Sequence, residues 1–172
     1  MKTLRIALLL VIGSVAATAF AQPDAETAFD KLKALAGTWE GSMTTIPKVA
    51  DIEGTATRVT LRVTSMGHVL MHEMTGEGRP GDPITMLYLD DGALALTHYC
   101  DAGNRPRMAG KVSEDGKTVS FESVHVSGPM KHGHMHGAVF TFDGADRHTE
   151  EWTYMTPAGK AMRARIELRR AK

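Results

Sequence analysis

The sequence predicts an all-β fold, an antiparallel up-and-down barrel of about ten strands with one short helix ahead of it. Three observations carry this. From Gly37 onward the chain alternates apolar and polar residues in runs of roughly ten, divided by Gly, Pro and Asp, with no second helical pattern. Asp91-Gly92 and Asp115-Gly116 stand between such runs as hairpin signals. Before them lies one amphipathic segment, Pro23 to Leu35, that Gly37 stops. A chain of 172 residues is one domain's worth and long enough for a proper core.

The N-terminus reads apart from the barrel. Lys2 and Arg5 precede an apolar run, Ile6 to Ile12, that is too short to span a bilayer, and Ala19-Phe20-Ala21 fits a signal-peptidase site. Residues 1–21 are therefore expected to be a signal peptide and residues 22–172 a single barrel domain, periplasmic or secreted, without stable membrane insertion. An uncleaved anchor is the alternative, and it leaves the A-x-A ending unexplained. Removing Lys2 and Arg5 from the 20 basic residues leaves two fewer than the 20 acidic ones. That balance points away from nucleic acid or an anionic membrane as partner. Cys100 is the only cysteine, so no internal disulfide can form and the core must supply stability.

In the helix, Phe29, Leu32 and Leu35 recur at helical spacing, and Pro23 suits a first turn. Turn chemistry then sets the strand registers. Pairing Asp90 with Ala93 puts Leu89 beside Leu94, Leu87 beside Leu96 and Thr85 beside His98, with His98 and Cys100 on the core face. The Asp115-Gly116 hairpin sets Val112 against Val119, with Phe121, Ser123 and His125 following on the same face. A turn at Met66-Gly67 pairs Val63 with Leu70 and Leu61 with His72, so His72 also points inward. Later, Phe142, Phe140, Ala138, His136 and His134 share a face. Trp152 and Tyr154 share another with His148 and Glu150, and a three-residue loop, Gly144 to Asp146, brings the two faces together. The last strand alternates Met162, Ala164, Ile166 and Leu168 inside with Arg163, Arg165, Glu167 and Arg169 outside. A meander alternates ends at each turn, so His98, His125, His134, His136 and Tyr154 are all expected at one mouth of the barrel.

Gly37-Thr38-Trp39-Glu40-Gly41 after a short amphipathic helix resembles the opening of calycin-type barrels: the G-x-W signature of lipocalins and, more closely, the L-x-G-x-W-x-G opening of nitrobindin-like proteins. The mature chain is also similar to uncharacterised exported bacterial proteins with stretches like Leu96-Thr97-His98-Tyr99-Cys100, Gly133-His134-Met135-His136 and Glu151-Trp152-Thr153. The resemblance implies structural roles for Gly37, Trp39 and Gly41, with Trp39 at the closed end under an arginine of the last strand, Arg169 or Arg170. It further implies an internal ligand site that opens opposite. Nitrobindins hold haem through a histidine near the C-terminal end of the barrel, and this chain has no histidine after His148.

Three functions follow as expectations. The first is a small-ligand-binding barrel with a histidine-lined mouth, using His72, His98, His125, Trp152 and Tyr154, with Arg105 at the rim for an anionic group. The second is a zinc or copper site. His134 and His136 lie about 7 Å apart on one strand face, with His98, or else His125 or His72, as the third ligand, for storing the metal or activating water for hydrolysis. Against it stands a glycine-flanked polar loop whose histidines are solvated or hydrogen-bonded to Tyr154. The third is haem binding. Eleven methionines in an exported chain allow copper, though scattered methionines also fill cores. Cys100 reads as a small core residue, and Glu150 faces inward and needs a partner such as His148 or an arginine. No Ser-His-Asp arrangement or Gly-rich phosphate loop stands out, so binding is expected before catalysis.

Overall fold

The structure, a computed structural model, describes residues 24–78 and 81–172. The expected signal peptide lies outside them. Helix α1 (Ala25–Lys33) begins where Asp24 accepts the Thr27 N–H at 2.7 Å. Ten strands follow: β1 (Gly37–Ile46), β2 (Ala56–Thr64), β3 (Val69–Gly76), β4 (Ile84–Asp90), β5 (Ala93–Tyr99), β6 (Arg105–Val112), β7 (Thr118–Ser127), β8 (His134–Phe142), β9 (Arg147–Met155) and β10 (Ala161–Arg170). Each pairs antiparallel with its sequence neighbours, and β1 pairs with β10 to close the barrel. Among the described residues no helix is long and apolar enough to cross a membrane.

Helix α1 plugs one end, packing against β2, β4, β5 and β6 with Phe29 and Leu32 buried in the barrel core. Trp39 lies there too. Its Nε1 donates to the Leu35 carbonyl at 2.7 Å, and the Arg170 guanidinium sits 4.2 Å over its ring. Arg170 also donates to the Ala36 carbonyl at 2.9 Å, so Arg170, and not Arg169, covers the tryptophan. The flanking glycines are required by space. A Cβ on Gly37, whose φ is 137°, would meet the Arg170 guanidinium, and one on Gly41 would meet the Glu167 carbonyl of β10 at 2.3 Å.

The predicted registers hold where turns set them. Asp90 pairs with Ala93 and Thr85 with His98, and Asp91 and Gly92 both have positive φ as a type I′ turn demands. Leu61 faces His72, Val112 faces Val119 and Phe142 faces His148. The Asp115-Gly116 turn is longer than two residues, since the Ser113 N–H closes it on the Thr118 carbonyl and only Gly116 of the dipeptide has positive φ.

Two β-bulges interrupt the alternation at the end away from α1. Between β6 and β7, Arg107 pairs with His125 and Met108 with Ser123, leaving Val124 extra. Between β8 and β9, Met135 pairs with Tyr154 and Gly137 with Thr153, leaving His136 extra. One added residue reverses which side chains face inward beyond it.

Candidate functional site

On β9 the inward positions His148, Glu150 and Trp152 stack at a spacing of two, a strand's natural period. Glu150 is wholly buried. Its carboxylate accepts from Nε2 of His72 at 2.9 Å, Nε2 of His148 at 3.0 Å and Nε1 of Trp152 at 2.9 Å. Burial alone would raise its pKa. The charge of His72 and the hydrogen bonds from both histidines outweigh that and hold the carboxyl well below the usual range. An ionised carboxylate only accepts, so both imidazoles carry hydrogen on Nε2, and Nδ1 of each is buried without a partner.

Above this network, at the end opposite α1, lies a cavity of about 320 Å³. Trp152, His72 and His98 line its floor, with His72 and His98 tilted against the Trp152 ring at 5.3 and 5.6 Å between centroids. Met43, Met74, Met135 and Met162 line its wall, and Pro83, Asp101 and Tyr154 lie toward the opening. Nδ1 of His98 is 2.8 Å from the Thr85 hydroxyl. Burial, and then the charge of His72, lower the His98 pKa to about 4, so the ring is neutral near neutrality. Burial likewise pushes the Cys100 thiol up, which disfavours the thiolate a nucleophile needs.

Of the residues expected at the site, His72, His98, Trp152 and Tyr154 line this cavity. His125, His134, His136 and Arg105 do not. His125 is exposed because the bulge at Val124 turns Val126 inward in its place. The bulge at His136 likewise brings Met135 to the cavity and leaves the two histidines on the outer side, with His136 Nδ1 3.4 Å from His134 Nε2. Arg105 is exposed because Pro106 and Met108 take the inward phase of β6. The mouth is therefore walled by methionine and threonine where histidine was expected.

The expected metal ligands do not converge, since His98 is inside and the His134–His136 pair outside. Among the described residues no group of three or more His, Cys, Asp or Glu could hold an ion. Haem also fits poorly, because this volume is at the bottom of the range for small-molecule sites. The Glu150 network was half legible: its inward phase and the His148 partner were readable, but not His72. That contact crosses the barrel interior from β3 to β9, which no hairpin register links.

No protein-family model matches the sequence, and no curated protein matches it. Among solved structures, the chain is similar to a protein of unknown function from Nostoc punctiforme, of the DUF3598 family. The TM-score is 0.54 and the identity 11%, over 81% of this chain and 49% of that one. This chain thus spans about half that protein's length, and the likeness is one of fold. A redesigned β-barrel also matches, with a TM-score of 0.41 and 14% identity, over 88% of this chain and all of that one.

Proposed function

We propose that this chain is a binding module, an exported calycin-like barrel that holds a small molecule in the cavity above Trp152. The observation that carries the reading is the cavity itself: about 320 Å³, open at one end, apolar in its wall, with few polar groups on its floor. A barrel of about eight strands can be filled by side chains alone, and ten strands enclose a wider interior. Here methionines, threonines and Ala164 leave the upper half open while α1, Trp39 and Arg170 seal the lower.

The test is to fill the space. Purified protein titrated with N-phenyl-1-naphthylamine, a neutral apolar fluorophore, is expected to show saturable binding. An Ala164→Trp variant, whose new ring would occupy the cavity, should bind at least about tenfold more weakly while keeping the circular dichroism of the barrel. Equal binding by the two proteins would refute the reading.

A further inference from the structure

Most polar groups around this cavity are engaged within the chain. The Thr45 hydroxyl donates to Glu53, that of Thr57 to the Thr55 carbonyl and that of Tyr154 to the His132 carbonyl. His98 differs. Its Nδ1 contact with Thr85 is the only side-chain hydrogen bond of either residue among the described residues. The Thr85 hydroxyl is buried and has no other acceptor there, so the arrangement that satisfies it has the hydroxyl donating to Nδ1. A neutral imidazole that accepts at Nδ1 carries its hydrogen on Nε2. Unlike Nδ1 of His72, which is sealed off, Nε2 of His98 is not a sealed atom, and its residue lines the cavity. Among the described residues, His98 is thus the one lining side chain with an uncommitted N–H donor, while the Thr55 hydroxyl and the Asp101 carboxylate also line the cavity without a side-chain hydrogen bond.

Resting on the ligand-holding reading above, we infer that the occupant is an uncharged, mainly apolar molecule with a single hydrogen-bond acceptor, of the ketone, aldehyde or ester class, whose oxygen takes the Nε2–H of His98. Charge is selected against from both sides. Among the described residues no lysine or arginine lines the cavity, so a carboxylate would find no counter-ion among them and would pass Asp101 at the exposed rim. A cation would meet Asp101 only at that rim, because the Glu150 carboxylate is wholly buried and already engaged by three N–H donors. An apolar molecule with no acceptor would fit the walls and strand the buried N–H, a cost comparable to a lost hydrogen bond.

Three probes of one shape separate these cases by displacement of bound N-phenyl-1-naphthylamine: acetophenone, ethylbenzene and benzoate. Acetophenone is expected to displace at about tenfold lower concentration than ethylbenzene, and benzoate to be weaker than both. His98→Phe should make acetophenone and ethylbenzene equal, whereas His98→Gln, which keeps an N–H donor, should retain a preference for the ketone. A measurement on the unaltered protein stands beside the variants. Long-range ¹H–¹⁵N spectra should show His98 as the Nε2–H tautomer, with that nitrogen shifting on addition of acetophenone. An Nδ1–H tautomer, or equal displacement by acetophenone and ethylbenzene, or benzoate as the best of the three, would overturn the inference and leave the cavity reading standing. If the fluorophore itself does not bind, the cavity reading falls and takes this one with it.

Discussion

Buried titratable side chains make this barrel's stability depend on acid in a way that can be read residue by residue. His98 in the native state has a pKa of about 4, against 6.5 for the free side chain. Between those values the unfolded chain binds a proton that the folded chain refuses. Stability therefore rises with pH across this window and is lost as pH falls through it. The two values correspond to about 3 kcal/mol. Glu150 acts in the adjoining window. Its folded pKa is depressed, so its contribution is present above the ordinary value of 4.5 and is lost as pH falls below that. Urea unfolding is expected to give a stability that is flat between about pH 7 and 8 and lower by roughly 3 kcal/mol near pH 4. A His98→Phe variant should lose most of the drop above pH 4.5 and keep the part below it. A wild-type profile without any fall between about pH 6.5 and 4 would contradict the buried neutral imidazole.

Strands were legible wherever local chemistry fixes them. Asp91-Gly92 sets a two-residue turn, period-2 alternation sets the face, and the register of β4 on β5 follows residue by residue. The bulges escaped because each adds one residue without a strong turn signal. Traces of them were nevertheless present. In β7 the apolar phase moves from Val119 and Phe121 to Val124 and Val126, and in β8 from Met135 to Ala138, Phe140 and Phe142. Gly137, in the interior of β8, is the residue type that often marks such a site. Treating these phase changes as mixed faces sent His125, His134 and His136 to the wrong side. The β1–β10 seam shows the opposite case, in which one sequence feature has a direct steric reading. Gly41 faces Leu168 with the Glu167 carbonyl 2.3 Å from where a Cβ would stand. Backbone cannot move aside as a flexible side chain does, so Gly41→Ala should destabilise the protein by at least about 1–3 kcal/mol in denaturant unfolding. A midpoint unchanged by this substitution would mean that the seam is looser than the structure shows.

At the scale of the molecule, closure decides both the site and the order of folding. The His72–Glu150 contact and the cavity above it exist only when β3 and β9 face one another across a finished ring. No local pattern encodes that distance, since strand number and stagger set it together. Nine of the ten strand pairings join sequence neighbours, whereas the pairing of β1 with β10 brings together the two ends of the chain. Loop-closure entropy makes such long-range pairing late in folding. Ile166 reports on this seam, being fully buried on β10 and opposite Met43 of β1, while Leu94 reports on the local β4–β5 hairpin, where it faces Leu89. Ile166→Ala and Leu94→Ala should each cost about 2–5 kcal/mol, enough for a reliable kinetic comparison. Ile166→Ala is expected to act mainly by speeding unfolding, and Leu94→Ala to slow folding by a larger share of its cost. Chevron measurements that place most of the Ile166 effect in the folding limb would show that the ends of the chain meet early, and closure would then nucleate the barrel.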